Sequence, residues 1–358
     1  MRFGEAIWEL DQIMTEEADY RFELSNTRRM RRNLRKHKIY VPKPFPEYCT
    51  KGVLVTEYVT GVLMSHYIKA SDTEPDLVAA WEVENNVDPE RVGRRLYLSF
   101  MRQLFEENLF HGDLHPGNII LLRDSRLALI DFGTIGTVER NLWRKYLFMI
   151  KAIAKGELDK AADLVLALSP KFPVVDIEEV KQDMIRVLRA WSLRTPLKNM
   201  PYYEKSLTEV VTELTKVMTS RKIMVTWGFM KIDRTWGTMD ASMNYLTPQV
   251  DYPRLFRRYF RERQRRLLRK LPRLQTLRSV VTEIPETISE YTLFLDPQLR
   301  AASRIFQGSS SKVADALSML FGALSSGLLI IGAGVAAVFL HQHHGLFEKI
   351  GYEKGDIV

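Results

Sequence analysis

The spacing of apolar positions divides the chain into segments of different period. Residues 1–38 carry apolar side chains at helical spacing, with a polar and basic second half, and predict a helix. IYVPKPFPEYC (39–49) and GVLVTEYVTG (52–61) alternate apolar with polar positions or run β-branched between Pro and Gly, which predicts two strands. Residues 70–92 are acidic and interrupted by proline, the pattern of a surface insertion. RRLYLSFMRQLFEENLF (94–110) returns to helical spacing and predicts a buried helix. Two short apolar runs, NIILL (118–122) and LALID (127–131), then bracket a turn at 124–126. Beyond about residue 140 the pattern is helical to the end, and no segment repeats another.

One apolar run differs in kind. Residues 317–340 (LSMLFGALSSGLLIIGAGVAAVFL) contain no charge. At 1.5 Å per residue such a helix is about 36 Å long, enough to cross a hydrocarbon core of roughly 30 Å. Its position excludes a cleaved signal peptide. The expectation is a transmembrane helix over 313–340 with a tail at 341–358; a buried helix rich in Gly and Ala is the alternative. Ser318, Gly322 and Ser326 recur every four residues, a smooth face of the kind that packs on a second membrane helix. His341, His343 and His344 follow directly and read as a wet interfacial tail rather than a metal site.

Charge sharpens this picture. The chain has 358 residues and net charge +8. Residues 254–278 (RLFRRYFRERQRRLLRKLPRLQTLR) hold eleven Lys and Arg against one acid, Glu262, so the basicity is a stripe rather than a general property. The stripe precedes the apolar span, which predicts contact with an anionic membrane surface from the cytoplasmic side, as at a bacterial inner membrane. Nothing in its surroundings has the aromatic or fold signature of nucleic-acid binding. With 46% hydrophobic residues the chain can bury a sizeable core. The single cysteine, Cys49, excludes an internal disulfide and fits a reducing compartment.

The chemistry is concentrated in HGDLHPGNIILLRDSRLALIDFG, residues 111–133. Asp113 falls in a loop after a helix, where a carboxylate can meet a substrate hydroxyl. Asn118, five residues on, can reach a metal ion from the same loop. A short hairpin then brings back Asp131, placed to hold the Mg²⁺ that bridges the phosphates of a nucleotide. Phosphoryl transfer needs positioning and charge neutralisation more than covalent help, so these residue types suffice. His111 reads as a hydrogen-bonded structural residue, not a base. The pattern resembles the protein-kinase catalytic loop H-x-D-x-x-x-x-N followed by D-F-G.

The form HGDLHPGN, with His115 where protein kinases usually carry Lys, is similar to two branches of that superfamily: the aminoglycoside and choline phosphotransferases, and the UbiB/AarF atypical kinases. EEADYRFELSN (16–26) resembles the E-x-D-Y-x-x-E-x-x-N signature of the second branch, matched by Glu17, Asp19, Glu23 and Asn26. VPKPFPEYCTKGVLVTEYVTG resembles its strands and hinge, with Glu57 and Val59 in the linker over the adenine. The resemblance implies ATP and Mg²⁺ as cofactors, Glu17, Asp19, Glu23, Glu57 and Val59 on the nucleotide side, and support of isoprenoid-quinone biosynthesis. It implies quinone-biosynthesis proteins or an isoprenoid lipid as partners. The family places a Lys-x-Gly-Gln motif, an alanine-rich nucleotide loop and an ATP lysine before this segment. None precedes it here, and Lys51 follows the Glu23 helix, so it is out of order for that lysine. A fragment, half of a split pair whose partner supplies the front lobe, and a non-catalytic membrane scaffold are the three readings, with the fragment ranked first.

The expected fold is α+β and protein-kinase-like: an incomplete front lobe over 1–62, a mainly helical lobe over 63–300, and the C-terminal span. The expected function is a membrane-anchored UbiB-type kinase or ATPase, with a small-molecule phosphotransferase as the alternative.

Overall fold

The computed structural model describes residues 19–169 and 173–270, with side chains to residue 267. Glu17, the apolar span 317–340, the histidines after it and residues 271–278 of the basic stripe lie outside the described residues. The chain divides into two units, 1–267 and 268–358, and the described residues belong to the first apart from the last turn of the helix at Tyr252–Lys270. Among the described residues no helix is long and apolar enough to cross a membrane.

Helix α1 (Tyr20–Arg35) starts where Asp19, in extended backbone, accepts a hydrogen bond from the Arg21 amide at 3.0 Å. This N-cap satisfies one of the helix's orphan donors. Met30 and Leu34 bury its inner face. The two strands expected over 39–61 do not form. That stretch is extended chain with isolated bridges, Tyr40 to Ala128, Pro44 to Thr56 and Thr50 to Val53. Pairing with 53–57 runs through Lys43 and Phe45, between the prolines, and stops where Pro46 opens a 3₁₀ turn, Pro46–Tyr48. Only single bonds survive, such as the Phe45 amide to the Val55 carbonyl at 2.9 Å and the Glu57 amide to the Lys43 carbonyl at 2.8 Å.

A short strand β1 (Val62–Leu63) follows, then helices α2 (Met64–Thr73), α3 (Pro75–Glu84) and α4 (Pro89–Arg102). The acidic segment 70–92 is largely helical and mostly exposed. Pro75 and Pro89 start helices at their first turn, where a missing N–H costs nothing. Helix α4 ends in a π-helical turn (Gln103–Glu107), closed by Asn108 in the left-handed region at φ 45°.

The expected hairpin is present. Strands β3 (Ile119–Leu122) and β4 (Arg126–Leu129) pair antiparallel, with β1 on the outer side of β3. Tyr40 adds a parallel bridge to β4, donating to the Leu127 carbonyl and accepting from the Leu129 amide. A second pair, β2 (Phe110–His111) with β5 (Ile135–Gly136), flanks the catalytic loop. Gly136 is required there: a Cβ would sit 2.3 Å from the buried Phe110 ring.

From residue 140 onward the described chain is helical. Helices α5 (Arg140–Lys155), α6 (Leu158–Ala167), α7 (Ile177–Arg194), α8 (Tyr202–Lys205), α9 (Leu207–Ser220), α10 (Trp227–Leu246) and α11 (Tyr252–Lys270) surround a core of Tyr97, Phe100, Trp236, Tyr252 and Phe256. Buried Asp240 ties four elements together, accepting from the Tyr202 and Tyr252 hydroxyls at 2.6 and 3.0 Å and from the Thr208 amide and hydroxyl. The described residues are mostly helical.

One titration follows from this packing. Burial, reinforced by the charge of Asp240, pushes Asp233 from 3.8 up to about 6. The folded chain therefore favours the protonated acid. That contribution to stability is complete below about pH 4 and lost as pH rises through about 6. Asp233→Asn is expected to stabilise the chain at about pH 7.5 by on the order of 1 kcal/mol and to change nothing at about pH 4. Chemical denaturation at the two pH values reads the difference.

Candidate active site

Residues 111–118 are held by contacts from far along the chain. The His111 amide donates to Oε1 of Gln103, which is fully buried in the π-helical turn, at 3.0 Å. His111 Nε2 donates to the Ile130 carbonyl at 3.1 Å, and its Nδ1 accepts the Asp113 amide at 3.2 Å. Burial lowers the pKa of His111, which favours the neutral tautomer that these two bonds require. Its ring also meets Phe132, with centroids 5.0 Å apart. His111 thus links the two chemical loops and is saturated as a hydrogen-bonding group.

Asn118 is buried and donates from Nδ2 to the Asp113 carbonyl at 3.1 Å, while its own carbonyl accepts the Ile130 amide at 3.0 Å. The Asp113 carboxylate stays accessible and meets the Arg234 guanidinium at 3.5 Å. Thr235, one residue on, donates its hydroxyl to the Gly112 carbonyl at 3.2 Å. Asn108 holds the far side of the loop, donating to the Val138 carbonyl at 2.8 Å and accepting its amide at 3.1 Å. Gln103, Asn108, Arg234 and Thr235 were not singled out by the sequence pattern.

Asp131 lies in the left-handed region at φ 59°, a strained backbone for a non-glycine residue. Its Oδ1 accepts the Gly133 amide at 3.2 Å. The helix that carries the acidic signature docks on this turn. Glu23 accepts the Phe132 amide at 3.2 Å, and Asn26 donates to the Phe132 carbonyl at 3.0 Å. The pKa of Glu23 is raised, first by burial and then by the charge of Asp131. Asp19 goes the other way, lowered to about 2 by its hydrogen bonds to Arg21. Asp19, Glu23, Asp113 and Asp131 line one cavity of about 210 Å³ together with Tyr20, Gly133 and Thr134.

A larger cleft of about 470 Å³ opens beside it, and Glu23 and Asp131 line both. Its walls are Leu54, Thr56, Leu63, Ile120 and the linker residues Glu57, Tyr58 and Val59. The Glu57 carboxylate is itself engaged, accepting the Tyr40 hydroxyl at 2.6 Å and the Lys43 amide at 3.0 Å. Its side chain therefore braces the linker. An apolar slot of this size ending in carboxylates suits a flat heterocycle with a phosphate tail brought in by a cation. Among the described residues no three His, Cys, Asp or Glu groups form a metal cage. Mg²⁺ does not need one: it takes one or two carboxylates and completes its shell with water and substrate phosphates. Carboxylate oxygens of the kind Asp131 presents to both cavities suit that ion; the Asn118 side chain lines neither cavity.

Comparison with known proteins follows the same division. Residues 1–165 match the ABC1 atypical kinase-like domain. A "Probable protein kinase UbiB" of Actinobacillus pleuropneumoniae is 30% identical over 148 residues, covering 39% of this chain and 25% of that protein. Another, from Tolumonas auensis, is 26% identical over 70% of this chain and 44% of its own length. The chloroplastic protein ACTIVITY OF BC1 COMPLEX KINASE 8 of Arabidopsis thaliana is 27% identical over 52% of this chain and 23% of its own. The chain spans between about a quarter and a half of the length of the curated relatives it matches first. The matched residues carry both the loop 111–133 and the α1 helix docked upon it, so residues 1–165 group with the UbiB/ABC1 atypical kinase-like proteins.

Proposed function

We propose that this chain is an ATP-dependent kinase or ATPase of UbiB type, acting at a membrane in support of isoprenoid-quinone biosynthesis. The observation that carries the reading is the convergence of Asp113 and Asp131 with the α1 acids in one small cavity at the end of a linker-walled cleft. The adenine would lie against Ile120 and Leu63 under the linker, with the phosphates directed toward Asp131. Asp131 would hold Mg²⁺, which supplies charge neutralisation for the phosphates when bound. Asp113 orients the attacking hydroxyl, of water or of a substrate, and receives its proton. The new bond forms to the γ-phosphorus as the bond to the β-bridging oxygen breaks, and that electron pair leaves with ADP. The basic stripe 254–278 and the apolar span 317–340 would keep the site beside an anionic membrane.

Equilibrium titration with a fluorescent ADP analogue, with Mg²⁺ or with EDTA, tests this reading. Saturable binding that requires Mg²⁺ is the expected result. No binding under either condition would contradict the assignment of the cleft.

A further inference from the structure

A second concave surface lies away from the acidic cavity and has the opposite charge. It is a groove of about 430 Å³ between α4 and α11, closed at one end by the turn after α1. Helical spacing builds it. Arg91, Arg95 and Arg102 follow at four and seven residues along one face of α4, with Arg94 beside them. Arg258 and Arg266 are two turns apart on the facing side of α11, and Lys38 enters from its left-handed turn at φ 61°. Leu98 and Ser99 contribute α4 positions between the arginines.

Seven cationic side chains thus line a space to which one carboxylate, Glu262, contributes. Glu262 itself meets Arg258 at 2.9 Å and Arg266 at 3.6 Å, and Arg95 donates to the Ser125 carbonyl at 2.8 Å. The acids around the groove are Asp88 and Glu90, which meet Arg91 and Arg94 at 3.7 and 3.6 Å, Glu106, which meets Arg102 at 3.6 Å and Arg266 at 2.6 Å, and Glu107 behind His37. These pairs do not use up the donors. The buried Nε–H of Arg266 has no hydrogen-bond acceptor among the described residues, and that of Arg102 has only the Glu106 carboxylate at 3.6 Å. Leaving buried charged donors unmet is costly, and an entering anion with several oxygens would meet them. The local field agrees with this count. His37 is buried against Ser99 and Glu107, yet burial and the charges of Arg102, Arg266 and Lys36 hold it down to about 3. Guanidinium forks converging from two helices suit phosphate, whose oxygens accept pairs of parallel N–H bonds.

We propose that the groove between α4 and α11 is a binding site for a phosphate-bearing anion, held by Arg91, Arg94, Arg95, Arg102, Arg258 and Arg266 and independent of the metal-dependent cleft. The same chemistry could be presented by a soluble phosphorylated molecule or by a lipid headgroup.

The test uses the full chain and the variant R91Q/R94Q/R258Q, which changes partly exposed positions and leaves the core intact. Pyrophosphate is titrated in EDTA, so that no metal recruits it to the acidic cavity. In parallel, flotation is measured with phosphatidylcholine vesicles that contain or lack phosphatidylglycerol. Saturable pyrophosphate binding weakened on the order of a hundredfold in the variant, about fivefold per arginine, supports the site with a soluble ligand. Negligible pyrophosphate binding, together with a comparable loss of anionic-vesicle binding in the variant, supports it with a headgroup. Equal behaviour of parent and variant in both arms overturns the proposal. An unchanged melting curve shows that the variant is folded. Should it unfold, Arg258→Gln alone is read in the same way, with about a fivefold loss expected.

Discussion

Trp236→Ala is expected to destabilise the chain by about 3–5 kcal/mol, a third or more of the stability of an ordinary domain. Trp236 is 2% exposed and lies where α4, α5 and α10 meet. Its ring packs edge-on against Phe100 with centroids 4.6 Å apart and tilts over Tyr97 at 5.1 Å. Its indole N–H donates to the Tyr146 hydroxyl at 2.9 Å. Truncation removes the largest side chain of this contact, leaves a cavity between two helices, and strands the buried Tyr146 hydroxyl, which adds about 1 kcal/mol. The loss should reach the active site as well. The neighbouring Thr235 holds the Gly112 carbonyl, so a shift of α10 loosens the loop that carries Asp113. Urea denaturation followed by far-UV circular dichroism measures the effect. A loss below about 1.5 kcal/mol, the range of a volume-conserving swap, would mean that the site collapses around the gap.

Asp113→Asn is expected to lower ATP turnover by about 10²- to 10⁴-fold, the usual contribution of a positioned general base. Magnesium-dependent ADP affinity should stay within about threefold, because the interactions that shape the loop are not made by the carboxylate. The Asp113 amide is held by His111 Nδ1 and its carbonyl by Asn118, and both survive the substitution. What is lost is the proton acceptor and the charge opposite Arg234. Phosphate release under saturating ATP, paired with nucleotide titration, separates the two effects. A parallel loss of affinity would make Asp113 a metal or nucleotide ligand instead.

The placement of Asp113 and Asp131 at one cavity was legible because both sit within one run that resembles the kinase catalytic loop; Asn118, from the same run, is buried behind the Asp113 carbonyl. The clamp of α1 on Phe132 was half legible. EEADYRFELSN marked Glu23 and Asn26, but not that both would grip the backbone beside Asp131. Gln103, Arg234 and Thr235 were invisible, because each acts across the fold from a helix whose pattern speaks only of burial. The two expected strands shrink to one antiparallel bridge, Pro44 to Thr56, because the chain turns into a 3₁₀ segment at Pro46–Tyr48. Pro75 and Pro89 interrupt the acidic segment, as the sequence suggested, by starting new helices there. The described part of the basic stripe falls on α11. Its division into a packed face of Leu255, Phe256 and Tyr259 and a groove-lining face needs the neighbouring helix.

The account rests on Asp131 as the residue through which a metal holds nucleotide. Thermal unfolding of the full chain and its Asp131→Asn variant, each with ADP and either Mg²⁺ or EDTA, tests that most directly. The expected result is stabilisation of the parent alone, only with Mg²⁺, by about 2–3 kcal/mol when the nucleotide is near a hundred times its Kd. An equal magnesium-dependent shift in both proteins would contradict it.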